Sequence, residues 1–154
     1  MHDTLLKKLL EEVDLKKAQL DAFRPLPTEL INDLNKWFKV ELTYSSNALE
    51  GNSLTSLETG LIIEKNVTID GKSLREHLET TGHADAVEYI LDLLKCTRYD
   101  LTLPDILDIH KIIFDRIDKD NAGVYSNVEI NIRRPYGRYD FPLKFQDNMI
   151  EFLD

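Results

Sequence analysis

Ser46-Asn47-Ala48-Leu49-Glu50-Gly51-Asn52-Ser53-Leu54-Thr55-Ser56-Leu57-Glu58 is the stretch on which the fold turns. Upstream of it, Leu30, Ile31, Leu34, Trp37, Phe38 and Leu42 recur at helical spacing behind Thr28, a residue suited to an N-cap. This pattern predicts a helix running from Thr28 through Glu50. Gly51 stands where a C-capping glycine belongs, since glycine enters the left-handed region at little cost. Thr55 and Glu58 then form a capping box, which opens a further helix ending near Asn66. A helix, a sharp exit and a second capped helix in direct succession point to a mainly α protein.

Working outward, residues 4 to 23 place Leu6, Leu10 and Val13 on one stripe, with Leu5 and Leu9 beside it and Lys and Glu opposite. The stripe reads as packing on its own domain, or else as a partner-binding or dimerising face. Pro25-Leu26-Pro27 ends that segment, which divides the chain into an N-terminal helix, 1–27, and a main body, 28–154. Downstream, Ser73 to Lys95 reads as helix with Leu74, Leu78, Val87, Ile90, Leu91 and Leu94 inward. Gly82 marks either a break or a tight contact, because a mid-helix glycine costs about 1 kcal/mol against alanine. Leu103-Pro104 opens a helix striped by Ile106, Ile109, Ile113 and Ile117. The period then changes. Val128, Ile130 and Ile132 alternate with polar residues, Arg133 to Arg138 reads as a turn, and Tyr139-Asp140-Phe141 as the returning strand of a hairpin. Pro142 to Asp154 reads as a last helix.

Charge and composition exclude several classes. The 154 residues carry 19 Lys+Arg against 28 Asp+Glu, a net charge of −9. That balance argues against nucleic-acid or membrane-surface binding, both of which need clustered positive charge. The one candidate basic patch is Arg133, Arg134 and Arg138. No apolar run approaches the roughly 20 residues of a membrane span, and Glu11-Glu12 follow the opening residues too soon for a signal peptide. The single Cys96 makes no internal disulfide, which suits a reducing, cytoplasmic setting.

Three motifs tempt and fail. Asn66 to Ser73 has the outline of a phosphate loop but lacks its first glycine and a preceding strand. Asp118 to Glu129 has acids at calcium-loop positions 1, 3 and 12 and Gly123 at position 6, yet Ala122 removes a ligand and no second helix follows. His77 and His83 make no zinc spacing, and His2 and His110 stand alone. No metal site is expected.

The string Ser46-Asn47-Ala48-Leu49-Glu50-Gly51-Asn52 resembles the inhibitory helix of the Fic family, whose pattern is Ser/Thr-x-x-x-Glu-Gly/Asn. Gly71-Lys72-Ser73-Leu74-Arg75-Glu76-His77-Leu78-Glu79 is similar to that family's Gly-Lys-x-Leu-x-Glu-His-x-Glu stretch. Leu107 to Phe114 resembles the next core helix, Ala122-Gly123-Val124-Tyr125 and the strand after it the family's flap, and Pro142 to Leu153 the helix beyond. The likeness runs in order over residues 28 to 154 and implies a Fic-type helical bundle with a small β-hairpin. It departs at Ser126, where arginine is common, and at Gly82, where asparagine is common. The family's catalytic motif, His-x-Phe-x-Asp/Glu-Gly-Asn-Gly-Arg-x-x-Arg, is absent from these residues and is expected beyond Asp154.

The resemblance implies part of an autoinhibited protein AMP-transferase, with ATP and magnesium used by the complete protein and neither held tightly by this chain. Glu50 would pair with the last arginine of the catalytic motif and occupy the place of the γ-phosphate, Ser46 would fix the helix one turn earlier, and Gly51 would turn the chain away. Val128, Ile130 and Ile132 would hold an extended target segment and present its Ser, Thr or Tyr hydroxyl. A homo-oligomer is compatible with this. Two alternatives stay open: Glu50 as a solvated acid at a helix end, and the whole chain as a non-catalytic helical adaptor on a degenerate Fic-like scaffold.

Overall fold

The computed structural model describes residues 2–95, 101–125, 131–134 and 137–140. The architecture is mainly α, in the order α1 (His2–Asp21), α2 (Thr28–Leu49), α3 (Ser56–Lys65), α4 (Leu74–Lys95) and α5 (Leu103–Phe114), followed by β1 (Asn131–Arg134) and β2 (Gly137–Asp140). The chain divides into two compact units, one ending at Trp37 and the other beginning at Phe38.

In the first unit α1 leaves Leu6, Leu10 and Val13 exposed, so the packing expected of that stripe is not made within the unit. The opening of α2 also differs by one position from expectation. The Pro27 carbonyl accepts from the Ile31 N–H at 3.1 Å, so Pro27 takes the capping place and Thr28 is already helical.

The second unit is built around α4, against which α3 and α5 pack. Its buried apolar residues are Leu54, Ile62, Ala84, Ala86 and Val87, joined by Thr43, Thr59, Thr80 and Asp105. The cap of α3 is the one the sequence predicts, while the box that opens α5 was not read from it. Thr55 and Glu58 form a complete capping box at α3, which ends on Asn66 at φ 52. Thr102 and Asp105 do the same for α5, with Pro104 in its first turn.

One expectation for α4 needs correction, and of the two alternatives held open at Gly82 the tight contact is the one realised. Of its six expected inward residues, Val87 is buried and Leu78 and Leu91 half-buried, while Leu74, Ile90 and Leu94 are exposed. The buried set is Thr80, Ala84 and Val87 on one face and Gly82 and Ala86 on the other. A helix covered on opposite faces by close neighbours uses small residues for contact, so no single large apolar stripe marks its inner side. Gly82 does not break the helix. It lies against the backbone of α5, where a Cβ would come 2.6 Å from the Ile113 carbonyl oxygen.

The strands pair antiparallel, with Asn131 opposite Asp140, Ile132 opposite Tyr139, Arg133 opposite Arg138 and Arg134 opposite Gly137. The strands reach further than expected: Arg133 and Arg134 belong to β1, and Gly137 and Arg138 to β2. Val128, Ile130, Ser126, Cys96 and the expected last helix from Pro142 lie outside the described residues.

Gly82→Ala tests the α4–α5 approach. The helix-propensity gain of about 1 kcal/mol is outweighed by overpacking against backbone, typically about 1–3 kcal/mol. A net loss on the order of 1 kcal/mol is expected in urea unfolding followed by circular dichroism, and a gain in stability would show that the helices do not meet there.

Candidate functional site

The end of α2 is shaped by its own backbone. The Gly51 N–H donates to the Ala48 carbonyl at 3.1 Å and the Asn52 N–H to the Asn47 carbonyl at 2.9 Å. With Gly51 at φ +93, these two bonds make a Schellman cap, and a side chain at Gly51 would be strained. Glu50 is the cap residue, its N–H shared between the Ser46 carbonyl at 3.3 Å and the Asn47 carbonyl at 3.1 Å. The structure thus brings Ser46, Glu50 and Gly51 together at one helix terminus. Glu50 is exposed, beside Leu49 at 89% exposure, whereas Ser46 is half-buried. Among the described residues no hydrogen bond or ion pair engages the Glu50 carboxylate.

The segment that leaves this cap is clasped to α4. The Asn52 side-chain amide donates to the Glu76 carbonyl at 3.2 Å and to Glu79 Oε2 at 3.1 Å, while its own oxygen accepts from the Leu54 N–H at 3.1 Å. One oxygen of Glu76 accepts from the Ser53 N–H at 2.9 Å and the Ser53 hydroxyl at 2.6 Å. The other accepts from the Ser73 N–H and hydroxyl, both at 2.8 Å, and the Glu76 N–H returns a bond to Ser73 Oγ at 3.2 Å. That is a capping box for α4 whose acid also holds the α2–α3 loop. Lys72 adds bonds from Nζ to the Ser53 carbonyl and hydroxyl, and lies 3.8 Å from the Glu58 carboxylate. His77 fixes the preceding turn. Its Nδ1 meets the Ser73 carbonyl at 2.7 Å and its Nε2 accepts from the Ile69 N–H at 2.9 Å, so the ring proton sits on Nδ1.

A second seam ties the last turns of α2 to α4. The fully buried Thr43 hydroxyl meets His83 Nδ1 at 3.0 Å, and Asn47 donates to the Thr80 hydroxyl at 3.4 Å. Lys39 pairs with Glu88 nearer the start of the seam. Burial pushes His83 below the usual histidine range. The hydroxyl and N–H donors of Ser53 and Ser73 hold the Glu76 carboxyl down to about 2, the Ser53 hydroxyl contributing most.

Asn52, Glu76, Glu79 and Lys72 were not singled out by chemistry in the sequence. Only Ser73-x-x-Glu76 carries a local signal, that of a capping box. In the acidic turn after α5 the Gly123 N–H donates to His110 Nδ1 at 3.0 Å. Among the described residues no group of three or more His, Cys, Asp or Glu side chains could hold a metal, and no helix is long and apolar enough to cross a membrane.

No family model matches the chain. It is 30% identical over 129 residues to the protein adenylyltransferase Fic of Drosophila willistoni, covering 84% of this chain and 26% of the relative. To the protein of the same name in Nematostella vectensis it is 28% identical over 124 residues, covering 80% and 29%. The chain spans little more than a quarter of the length of these curated relatives. Its fold is similar to that of a Fic domain containing signaling protein from Bacteroides thetaiotaomicron, with a TM-score of 0.83 at 23% identity, covering 92% of this chain and 54% of that one. It is also similar to Fic-1 from C. elegans, at TM-score 0.63 and 26% identity, covering 79% and 38%.

The clasp and the seam each have a pH signature to check, in different windows but with stability lost as pH falls in both. Glu76 has a folded pKa of about 2 against an ordinary 4.5, so its contribution is complete above pH 4.5 and disappears as pH falls toward 2. The urea midpoint should fall across that window, and the gap between wild type and Glu76→Gln should close by its lower end. His83 is lowered, so the unfolded chain binds its proton first and stability also declines as pH drops below 6.5. An NMR titration of the His83 ring should give a midpoint below 6.5; a midpoint at or above it would mean that the seam is open to water.

Proposed function

The chain belongs to the Fic family, and from that premise we propose that it is the inhibitory and target-holding portion of an autoinhibited protein adenylyltransferase. The complete protein would move AMP from ATP to a hydroxyl of a target protein, in the cytoplasm. The observation that carries this reading is the placement of Glu50: an acid at the negative end of a helix, exposed, and held on a capped and clasped exit. An acid there opposes the helix dipole, so the position is unfavourable until a cation meets it. The last arginine of the family's catalytic motif would be that cation.

The described residues do not themselves fit ATP and magnesium. They offer no metal-holding cluster and no glycine-rich phosphate loop, and the backbone donors after Gly51 are spent on the clasp. ATP and the ion would belong to the part of the complete protein that bears the catalytic motif. What this chain contributes is control. Glu50 would occupy the space and charge that the γ-phosphate needs, so that ATP lies with its α-phosphate out of line for attack, and small misplacements cost large factors in rate. The Schellman cap makes Gly51 the exit that lets Glu50 stand at the terminus, and Ser46 lies one turn behind it. Val128, Ile130 and Ile132 would hold the target by strand addition.

In the complete protein, Glu50→Gly should raise transfer from α-labelled ATP by more than about tenfold, which is roughly 1.4 kcal/mol of recovered alignment. Stability should change by less than about 0.5 kcal/mol, because the side chain is exposed. Equal labelling with the catalytic motif present would leave Glu50 a solvated helix terminus and favour the adaptor alternative. Ile130→Pro should abolish target labelling with helical circular dichroism unchanged, since proline removes a strand donor. Calorimetry on this chain alone should show no tight, stoichiometric ATP binding.

A further inference from the structure

We propose that the apolar face of α1 is an interface at which two copies of this chain meet, with their α1 helices antiparallel. Leu5, Leu6, Leu9, Leu10, Val13 and Leu20 share one face of the helix, and each is 49–59% exposed. The opening of α2, in the same unit, does not cover them, since Leu30, Ile31, Leu34 and Trp37 are exposed as well. Six half-exposed aliphatic side chains leave on the order of 500 Å² of apolar surface in one stripe, the size at which an exposed patch marks an interaction site. Between His2 and Asp21 four lysines stand against five acids, a net charge of −1. That balance suits a protein partner and not an anionic lipid surface, which needs a basic polar face. The pairing does not depend on the role given to Glu50.

The charges beside the stripe select the occupant and its direction. Lys8, Glu12 and Lys16 run along one flank, and Lys7, Asp14 and Lys17 along the other. Glu12 meets Lys16 of its own helix at 2.7 Å, which holds both at the edge of the stripe. Parallel helices set each flank against the opposite flank of the second copy at equal height. Lys8 then faces Lys7, Glu12 faces Asp14 and Lys16 faces Lys17, like charges throughout. Antiparallel helices set each flank against itself, inverted about a two-fold axis. With that axis at Leu10, Lys8 comes level with Glu12 of the second copy on one flank. On the other, Lys7 comes within about 1.5 Å of the level of Asp14. Leu6, Leu9, Leu10 and Val13 lie astride the same axis, so each stripe covers the other. One surface thus complements itself in both apolar area and charge, as a closed two-fold contact requires.

The test is sedimentation equilibrium of this chain at loadings from about 1 to 300 µM, a range set by the small area of the stripe. The mass should move from one chain toward two and no further. Leu9→Gln with Val13→Gln should weaken the association at least about tenfold, with helical circular dichroism unchanged because both side chains are exposed. Leu15→Gln, an equally exposed leucine on the far face of α1, should leave the association as it is. Direction is read by a short bismaleimide in a Cys96→Ser background. Leu10→Cys should cross-link into a covalent dimer and Leu6→Cys should not, because an axis at Leu10 separates the two copies of residue 6 by about 12 Å along the helix. Parallel pairing would cross-link both. A chain that stays monomeric, a mass beyond two chains, an association that survives Leu9→Gln with Val13→Gln, or equal cross-linking at both positions would each overturn the proposal. So would a monomer that co-sediments with phosphatidylserine vesicles, which would give the stripe to a membrane. The Glu50→Gly labelling experiment fails separately, since loss of the dimer leaves that prediction standing.

Discussion

One carboxylate, that of Glu76, joins two parts of the second unit that are distant in sequence. Each of its oxygens takes two donors, Ser53 on the loop leaving α2 and Ser73 at the start of α4. Four hydrogen bonds to a charged acceptor fix both the cap of a long helix and the path of the chain after Glu50. Asn52 on Glu79 and Lys72 on the Ser53 carbonyl reinforce the same junction. The direction in which α2 ends is therefore set by α4, and Glu50 inherits its position from residues more than a score further along the chain.

Close approach makes this possible. Gly82 lets α5 come within backbone contact of α4, and Ala84 and Ala86 keep the middle of the helix narrow. Thr43 and Thr80 are buried hydroxyls rather than apolar side chains, and each has a partner: His83 for the first, Asn47 and the Glu76 carbonyl for the second. A buried polar seam of this kind specifies one register of α2 on α4, because a shifted helix would leave those hydroxyls unsatisfied. The same specificity would suit an inhibitory element, which must present one acid at one place.

The resulting division of labour is between a fixed frame and exposed effectors. The frame is local hydrogen bonding that the chain completes by itself. Glu50 lies outside it, with a carboxylate that no described neighbour engages. On the reading proposed above, Glu50 waits for a counter-charge supplied from the catalytic segment.

Local rules were legible in the sequence because they act over three or four residues. Thr55 with Glu58 and the glycine exit at Gly51 needed only neighbouring side chains and backbone to be read correctly, and the alternation around Ile132 was enough to indicate a hairpin. The string ending in Glu50-Gly51 was legible as a family likeness. What the sequence could not show was which faces meet. Leu74, Ile90 and Leu94 look like core on periodicity, yet they are exposed, because α4 is covered through Gly82, Ala84 and Ala86 on opposite sides and small residues leave no hydrophobic stripe. Glu76 and Asn52 look like ordinary surface polar residues. Only the tertiary fold brings the loop after α2 against the start of α4, where the unsatisfied donors of both find a single acceptor, and that pairing depends on distance in space, which no local pattern encodes.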